Sequence, residues 1–291
     1  MKILVTGAYG QLGNELKVLS EQFSEYQFLF TDADTLDIAD ENQIRNFFEK
    51  EKPEFVINCA AYTAVDKAET EIEAAHKINA TAPGLLAKVT KQFKTGFIHI
   101  STDYVFNGQS HIPYSEVDPV QPESVYGKTK LAGEHLIKSG NSRVVIIRTS
   151  WLYSSFGNNF VKTMLRLGKD RDLLKVVFDQ VGTPTYAADL AKAVLTIATI
   201  YEKEPKDFKP GVYHFSNEGV ASWYDFAKSI FEISGLDCKV LPVLSNEFPT
   251  PAKRPYYSVL NKSKIKSTFN LEIPYWKDSL ESCLKILQKP K

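Results

Sequence analysis

Short, largely apolar runs recur through the first 150 residues, and helical stretches separate them. The runs are KILVTG (2–7), QFLF (27–30), EFVINCA (54–60), GFIHIST (96–102) and RVVIIRTS (143–150). Between them, Leu12, Leu16, Leu19 and Phe23 give helical spacing over 11–23. ENQIRNFFEKEK (41–52) reads as a helix behind the N-cap candidate Asp40, and a longer helix is expected over about 71–93. A strand with no polar face must be covered on both sides, and a connection long enough to hold a helix sets neighbouring strands parallel. The expected fold class is therefore α/β, a doubly wound parallel sheet over residues 1–150. Beyond 151 the rhythm loosens, prolines gather at 184, 205, 210, 242, 249, 251 and 255, and strands become isolated. A smaller C-terminal lobe is expected over 151–291, interleaved with elements that return to the sheet domain at about 179–202.

Open parallel sheets bind ligands at the carboxyl ends of their strands, so the residues there carry the functional argument. The first strand runs into TGAYGQLG (6–13), which spaces Gly7, Gly10 and Gly13 as G-x-x-G-x-x-G before a helix. The first glycine permits a tight turn, the second a close backbone approach to a pyrophosphate, and the third close packing of helix on strand. The helix N-terminus adds unpaired N–H groups and partial positive charge. The second strand ends at Asp32, 19 residues beyond Gly13, about where a carboxylate accepts hydrogen bonds from an adenosine ribose. Asp34 is an equal candidate by position. An acid there favours NADH and repels a 2′-phosphate. Asp37 and Ile38, in LDIAD, are placed to flank an adenine. NCAAYTAVDKAE (58–69) follows the third strand, with small residues at Ala60 and Ala61.

The fourth strand ends on a hydroxyl, Thr102, in ISTDYVFNG, and VYGKTK follows 24 residues later with Tyr126 and Lys130 one helical turn apart. A hydroxyl, a phenol and an amine in this arrangement suit carbonyl reduction: Thr102 binds the carbonyl oxygen, Tyr126 gives it a proton, and Lys130 tunes the phenol. A free tyrosine has a pKa of about 10. An ammonium about 4 Å away, in an effective dielectric around 20, favours the phenolate by up to ~4 kcal/mol, and burial opposes part of that. The expectation is a Tyr126 brought down toward neutrality.

These stretches resemble the extended short-chain dehydrogenase/reductases, and more closely the dTDP-4-dehydrorhamnose reductase family. The resemblance runs nearly end to end, through GxxGQLG, NCAAYTAVDKAE, INATAP, STDYVFNG, VYGKTKLAGE, RTSWLY, GNNFVKTML, DQVGTPT and PTPAKRPYYSVLN. It implies a Rossmann-type domain with a small α/β substrate lobe, and hydride transfer from NADPH or NADH to the 4-keto carbon of dTDP-4-dehydro-β-L-rhamnose. It also implies cofactor contacts at Gly10, Gln11, Leu12, Asp32, Asp37, Ile38, Ala61, Tyr62, Thr63, Tyr126 and Lys130. Sugar contacts would fall at Thr102, Asp103, Tyr126 and Trp151. The family often carries His where this chain has Tyr62, which affects the side-chain contact and not the backbone one. Some members bridge subunits through a divalent ion held by carboxylates. The aligned position here is Ala188, with Asp189 beside it, so no bound metal is expected, while a homodimer remains open.

Two residues keep two readings each. Trp151 is a ligand-facing aromatic or part of the core, and Arg254, in AKRPYY, is a phosphate clamp or a surface charge. The histidines at 76, 99, 111, 135 and 214 show no metal spacing, and His99, inside a strand, reads as a satisfied core residue. Lys and Arg number 35 against 35 Asp and Glu, so no charge excess draws the chain to nucleic acid or an anionic membrane. No apolar run reaches the ~18 residues of a membrane span. Cys59, Cys238 and Cys283 lack CxxC spacing and read as reduced thiols. MKILVTG leads straight into a strand with no signal peptide, and a cytoplasmic enzyme is expected. Two rival readings stand beside the reductase: another nucleotide-sugar reductase or epimerase, and a non-catalytic NADP-binding regulatory subunit of the methionine adenosyltransferase type. Intact Thr102, Tyr126 and Lys130 argue against the second.

Overall fold

The computed structural model describes residues 1–141 and 143–289. Six parallel strands form the central sheet: β1 (Lys2–Thr6), β2 (Gln27–Thr31), β3 (Phe55–Asn58), β4 (Gly96–Thr102), β5 (Val144–Thr149) and β6 (Gly211–His214). Their order is β6-β5-β4-β3-β1-β2, every neighbouring pair parallel. The longer helices are α1 (Gln11–Ser20), α2 (Glu41–Glu51), α3 (Ala82–Gln92), α4 (Val125–Gly140), α5 (Phe160–Asp170), α6 (Ala187–Lys203), α7 (Trp223–Ser234) and α8 (Trp276–Leu287).

Alternate strand residues divide cleanly between two cores, because side chains along a strand point to opposite faces. Ile3, Val5, Phe55, Ile57, Ile98, Val145 and Ile147 face one way and meet Leu12 and Leu16 of α1 and Leu190, Val194 and Ile197 of α6. Leu4, Val56, Phe97, Val144 and Ile146 face the other way and meet Ile44 and Phe48 of α2, Leu86 of α3 and Ile137 of α4. Each such aliphatic contributes roughly 1.5–3 kcal/mol by leaving water. Double coverage is thus what the two-faced apolar strands require, as expected from the sequence.

The chain then builds a second core from Tyr153, Val161, Phe226, Ile230, Trp276 and Leu280. A parallel pair, Leu173–Val177 with Lys239–Val243, borders it. Between these parts the chain goes back to the sheet. Helix α6 packs on α1, and strand β6 adds to the sheet edge; Ile265 and Phe269 join the same core. The return is therefore longer than the sequence suggests, since Gly211–His214 and the helix Ser263–Phe269 also belong to it.

Two of three local expectations change. The first helix ends at Ser20. Asp40 caps α2 by accepting from Asn42 and Gln43 N–H groups, as expected. The single helix expected over 71–93 is instead Ile72–His76, a π-helical turn at Lys77–Thr81, and α3. A π turn inserts one residue into the helical repeat, which apolar spacing alone does not register.

Candidate active site

The strand order reverses between β1 and β3, so a crevice opens at their carboxyl ends. Gly7 sits there at φ +70°, and a Cβ on it would lie 2.6 Å from the Ala60 nitrogen. Only glycine fits that turn. The first turn of α1 has no side-chain cap and no acidic residue, which leaves its N–H groups directed into the crevice. A cradle of free N–H groups and close backbone suits a dinucleotide pyrophosphate. Gln11 turns toward the second core: its Oε1 accepts from Asn159 Nδ2 at 2.9 Å and its Nε2 donates to the Leu152 carbonyl at 3.4 Å. Leu12 is buried in the sheet core, so only its backbone faces the crevice.

Asp32 lies at the end of β2, half-buried. One carboxylate oxygen accepts from the Tyr9 N–H at 2.9 Å and the other from Ala33 N–H at 2.9 Å. It therefore also anchors the glycine-rich loop, a role not legible in its spacing. Asp34 is exposed. Asp37 accepts from Ala39 N–H and faces Lys77 at 3.9 Å. Ile38 is only 5% exposed and packs with Leu36 and Ile44 in the core, so its side chain does not flank an adenine. Ala61 and Tyr62 are half-buried and Thr63 is exposed beside the crevice.

Asn79 was missed among the candidates, although INATAP contains it. It is fully buried on the π turn, accepts from Tyr62 N–H at 2.8 Å and donates to the Tyr62 carbonyl at 3.1 Å. It also donates to Thr129 Oγ1 of α4 at 3.2 Å. A single amide thus fixes the backbone at 62 against α4. The Tyr62 hydroxyl donates to Glu71 at 2.6 Å.

Thr102 ends β4, and its hydroxyl donates to Asp103 Oδ1 at 2.9 Å. Tyr126 lies in the first turn of α4, which Ser124 caps by accepting from Gly127 N–H. Gly127 explains the glycine after the tyrosine: a Cβ there would lie 2.3 Å from the Tyr104 carbonyl. The helix can therefore sit directly on the STDYV loop, bringing Tyr126 edge-on to Tyr104 at 5.4 Å between ring centroids. Burial pushes the Tyr126 phenol above its ordinary pKa, and the hydrogen bond with Thr102 offsets part of the rise. The expected fall toward neutrality is not found. Lys130 is 1% exposed, and its amine donates to the Ile100 carbonyl at 2.7 Å and meets His99 Nε2 at 3.3 Å, instead of lying against the phenol. Burial pushes Lys130 itself down to about 8. His99 is fully buried between Asn58 and Lys130.

Asp103 is 3% exposed, burial pushes its carboxyl up to about 7, and its Oδ2 has no hydrogen-bond partner. Arg254 is committed within the protein: it donates to Asp66 Oδ2 at 2.7 Å and to the Tyr104 hydroxyl at 3.2 Å. It ties the VDKAE segment to the STDYV loop, so neither a free clamp nor an isolated surface charge describes it. Trp151 has φ +47° and stacks on Trp223 with ring centroids 3.7 Å apart, a half-buried pair at the edge of the second core. A cavity of about 400 Å³ borders the second core, lined by Phe178, Val181, Ala221, Ser222 and Tyr224 among others. Asp189 accepts from Asn217 Nδ2 and the Ser279 hydroxyl at 2.8 and 2.5 Å. Among the described residues no group of three or more His, Cys, Asp or Glu is arranged to hold a metal, and no helix is long and apolar enough to cross a membrane.

The all-parallel sheet, the uncapped glycine-rich crevice and the hydroxyl–phenol–amine set define the class: a Rossmann-type short-chain dehydrogenase/reductase with an added lobe. The chain matches the family described as RmlD substrate binding domain over residues 1–289. It is 41% identical over 284 residues to the spore coat polysaccharide biosynthesis protein SpsK of Bacillus subtilis, covering 98% of this chain and 97% of that one. It is 40% identical over 290 residues to the dTDP-4-dehydrorhamnose reductase of Aggregatibacter actinomycetemcomitans, covering 97% of each. A crystal structure of a dTDP-4-dehydrorhamnose reductase from Clostridium acetobutylicum superposes with a TM-score of 0.93 at 46% identity, covering 99% of this chain and 100% of that one. The Bacillus anthracis dTDP-4-dehydrorhamnose reductase, in complex with NADP, gives 0.91 at 39% identity and covers 98% and 99%. This chain belongs to the RmlD family, that of the dTDP-4-dehydrorhamnose reductases.

Proposed function

We propose that the protein reduces the 4-keto group of dTDP-4-dehydro-β-L-rhamnose to give dTDP-L-rhamnose, in the cytoplasm, with Tyr126 as proton donor. The observation that carries the reading is the packing of the first turn of α4, which holds Tyr126, directly on the loop that follows Thr102 at the end of β4, with Tyr126 edge-on to Tyr104 at 5.4 Å, beside the crevice of β1 and β3. NADPH or NADH in that crevice supplies the hydride. Thr102 orients the keto oxygen, and Tyr126 protonates it as charge develops there. A proton donor must enter the reaction protonated, and the raised pKa of Tyr126 keeps its phenol neutral throughout the working range. The alkoxide formed at C4 is far more basic than a phenolate, so transfer runs downhill.

The same reading assigns the nucleotide end of the substrate to the second core. The cavity lined by Phe178, Val181 and Tyr224 has the size and mainly apolar lining that suit a nucleoside or sugar ring. Asp103 accepts from the Thr102 hydroxyl and fixes that side chain beneath the site, its other oxygen buried without a partner. Arg254 then acts by holding the Tyr104 loop in place. The test is product analysis. Purified protein with the dTDP-keto sugar and NADPH or NADH should give dTDP-L-rhamnose, one equivalent of reduced cofactor being consumed for each. An epimerised keto sugar with no net oxidation would replace this reading with an epimerase.

A further inference from the structure

Two strands, β1 and β3, end on polar residues in one register row, and His99 in the middle of β4 completes the row, on the face that α4 covers. Thr6 pairs with Asn58 across β1 and β3, and Asn58 pairs with His99 across β3 and β4. Two residues earlier the same row is Leu4, Val56 and Phe97, all apolar core. Thr6, Asn58 and His99 are each at most 1% exposed, as is Lys130 above them. Thr6 Oγ1 donates to Asn58 Oδ1 at 2.7 Å, and the Ala60 N–H donates to the same oxygen at 3.1 Å. Asn58 Nδ2 lies 3.0 Å from His99 Nδ1, and His99 Nε2 lies 3.3 Å from Lys130 Nζ.

One fixed donor sets the direction of the whole row. The Ala60 backbone amide can only donate, so Asn58 must present its oxygen there and its NH₂ to His99. His99 Nδ1 must then accept. A neutral imidazole carries one N–H, which is left on Nε2 and aimed at Lys130. Lys130 already donates to the Ile100 carbonyl. An ammonium has no lone pair to receive the histidine N–H, whereas a neutral amine has one.

We infer that His99 is a positioning residue for Lys130: its Nε2–H opposes the ammonium form, so that the lysine holds its proton loosely and can return it to Tyr126 after turnover. This rests on the reductive reading above. In that reaction the carbonyl carbon gains a hydride and its oxygen takes the phenol proton, which leaves Tyr126 anionic. An N–H bond of Lys130 then breaks as the Tyr126 O–H re-forms, through one bridging hydroxyl or water, and the amine recovers a proton from solvent. Burial already depresses the Lys130 pKa, and the His99 N–H acts in the same direction.

The other groups facing Lys130 do not account for a loosened proton. Glu134, one turn along α4, favours the ammonium, but both its oxygens are taken by Arg148 at 2.8 and 2.7 Å and one also by Ser101 at 2.7 Å. Cys59, at the end of β3, is held neutral because burial drives its thiol pKa up. Burial, joined by the charge of Lys130, likewise keeps His99 neutral. Tyr126 on the same helix is neutral before reaction.

Two measurements test the inference. Nitrogen-15 NMR of the free, unmutated protein labelled at histidine, with His99 assigned by substituting the other four histidines singly, should show Nε2 protonated and Nδ1 bare. An Nδ1–H tautomer or an imidazolium would overturn it. In the variant His99→Asn, the amide oxygen can still accept from Asn58, and the vacated volume lets water accept from the ammonium. The alkaline limb of kcat for the dTDP-keto sugar should then move upward by about half a pH unit or more, because Lys130 keeps its proton longer. A limb that stays in place or moves down, whatever the rate, would contradict the assigned role. If the unmutated protein does not turn over the keto sugar, the reductive reading fails on its own, and the tautomer measurement, which needs no substrate, still decides the direction of the row.

Discussion

At the scale of single residues, burial decides the chemistry. Tyr126 and Asp103 are both driven toward their neutral forms, one as a phenol and one as a carboxyl with a pKa of about 7. If Tyr126 is the proton donor proposed above, Tyr126→Phe should lower kcat at least ~10²-fold with cofactor affinity unchanged; steady-state kinetics with parallel cofactor titration read both. Asp103 has a consequence for stability. Its folded pKa is raised above the unfolded value of about 3.9, so the folded state binds its proton more tightly. That contribution is full below about pH 4 and is lost as pH rises through about 7. Thermal melts of Asp103→Asn at pH 5 and pH 8 should differ less than those of the unmutated protein; an equal difference would mean that Asp103 titrates normally. Asp32→Ala should move the NADPH/NADH ratio of kcat/KM toward NADPH by removing a charge next to a 2′-phosphate. Because Asp32 also holds Tyr9 N–H, the same change should weaken binding of both cofactors.

At the scale of elements, the strands and the motif positions could be read from sequence, and the joints between elements could not. Apolar runs and helical spacing placed five of the six sheet strands, because periodicity reports burial directly. They did not place β6 (Gly211–His214), a four-residue edge strand with only half of it buried. Nor did they show the π turn, since its extra residue shifts the phase of the helix without changing its composition. The Thr102, Tyr126 and Lys130 set was legible because spacing and strand ends locate it. The pairing of Lys130 with His99 and Ile100 was not, since it depends on how helix α4 packs on β4, 30 residues away in sequence. The π turn has its own test. A Cβ on Gly133 of α4 would lie 2.1 Å from the Asn79 carbonyl, so Gly133→Ala must push the turn away. It should cost about 1–3 kcal/mol, the range for overpacking. Asn79→Ala, which strands the Tyr62 N–H, should cost about 1–3 kcal/mol as well. Urea denaturation measures both, and neutral effects would show that the turn does not hold the crevice.

At the scale of the whole molecule, the sheet supplies the crevice and the reacting groups, and the second core supplies a wall on the other side of the cleft. The two parts are stitched by specific bonds: Gln11 to Asn159 and Leu152, and Ser154 to Glu15. Such a joint can use binding energy from the nucleotide to hold C4 in place for reaction, because remote contacts lower the entropy of positioning. Trp151, half-buried and held at positive φ against Trp223, is the residue of that wall proposed to meet the sugar. Trp151→Ala should lower keto-sugar kcat/KM by ~1–3 kcal/mol while cofactor binding stays intact. The most direct measurement of the central claim compares two substrates on the unmutated enzyme, the dTDP-linked 4-keto-6-deoxy sugar and the same sugar without its nucleotide. Removing the nucleotide should lower kcat as well as raise KM; equal efficiency on the free sugar would make the protein a plain carbonyl reductase.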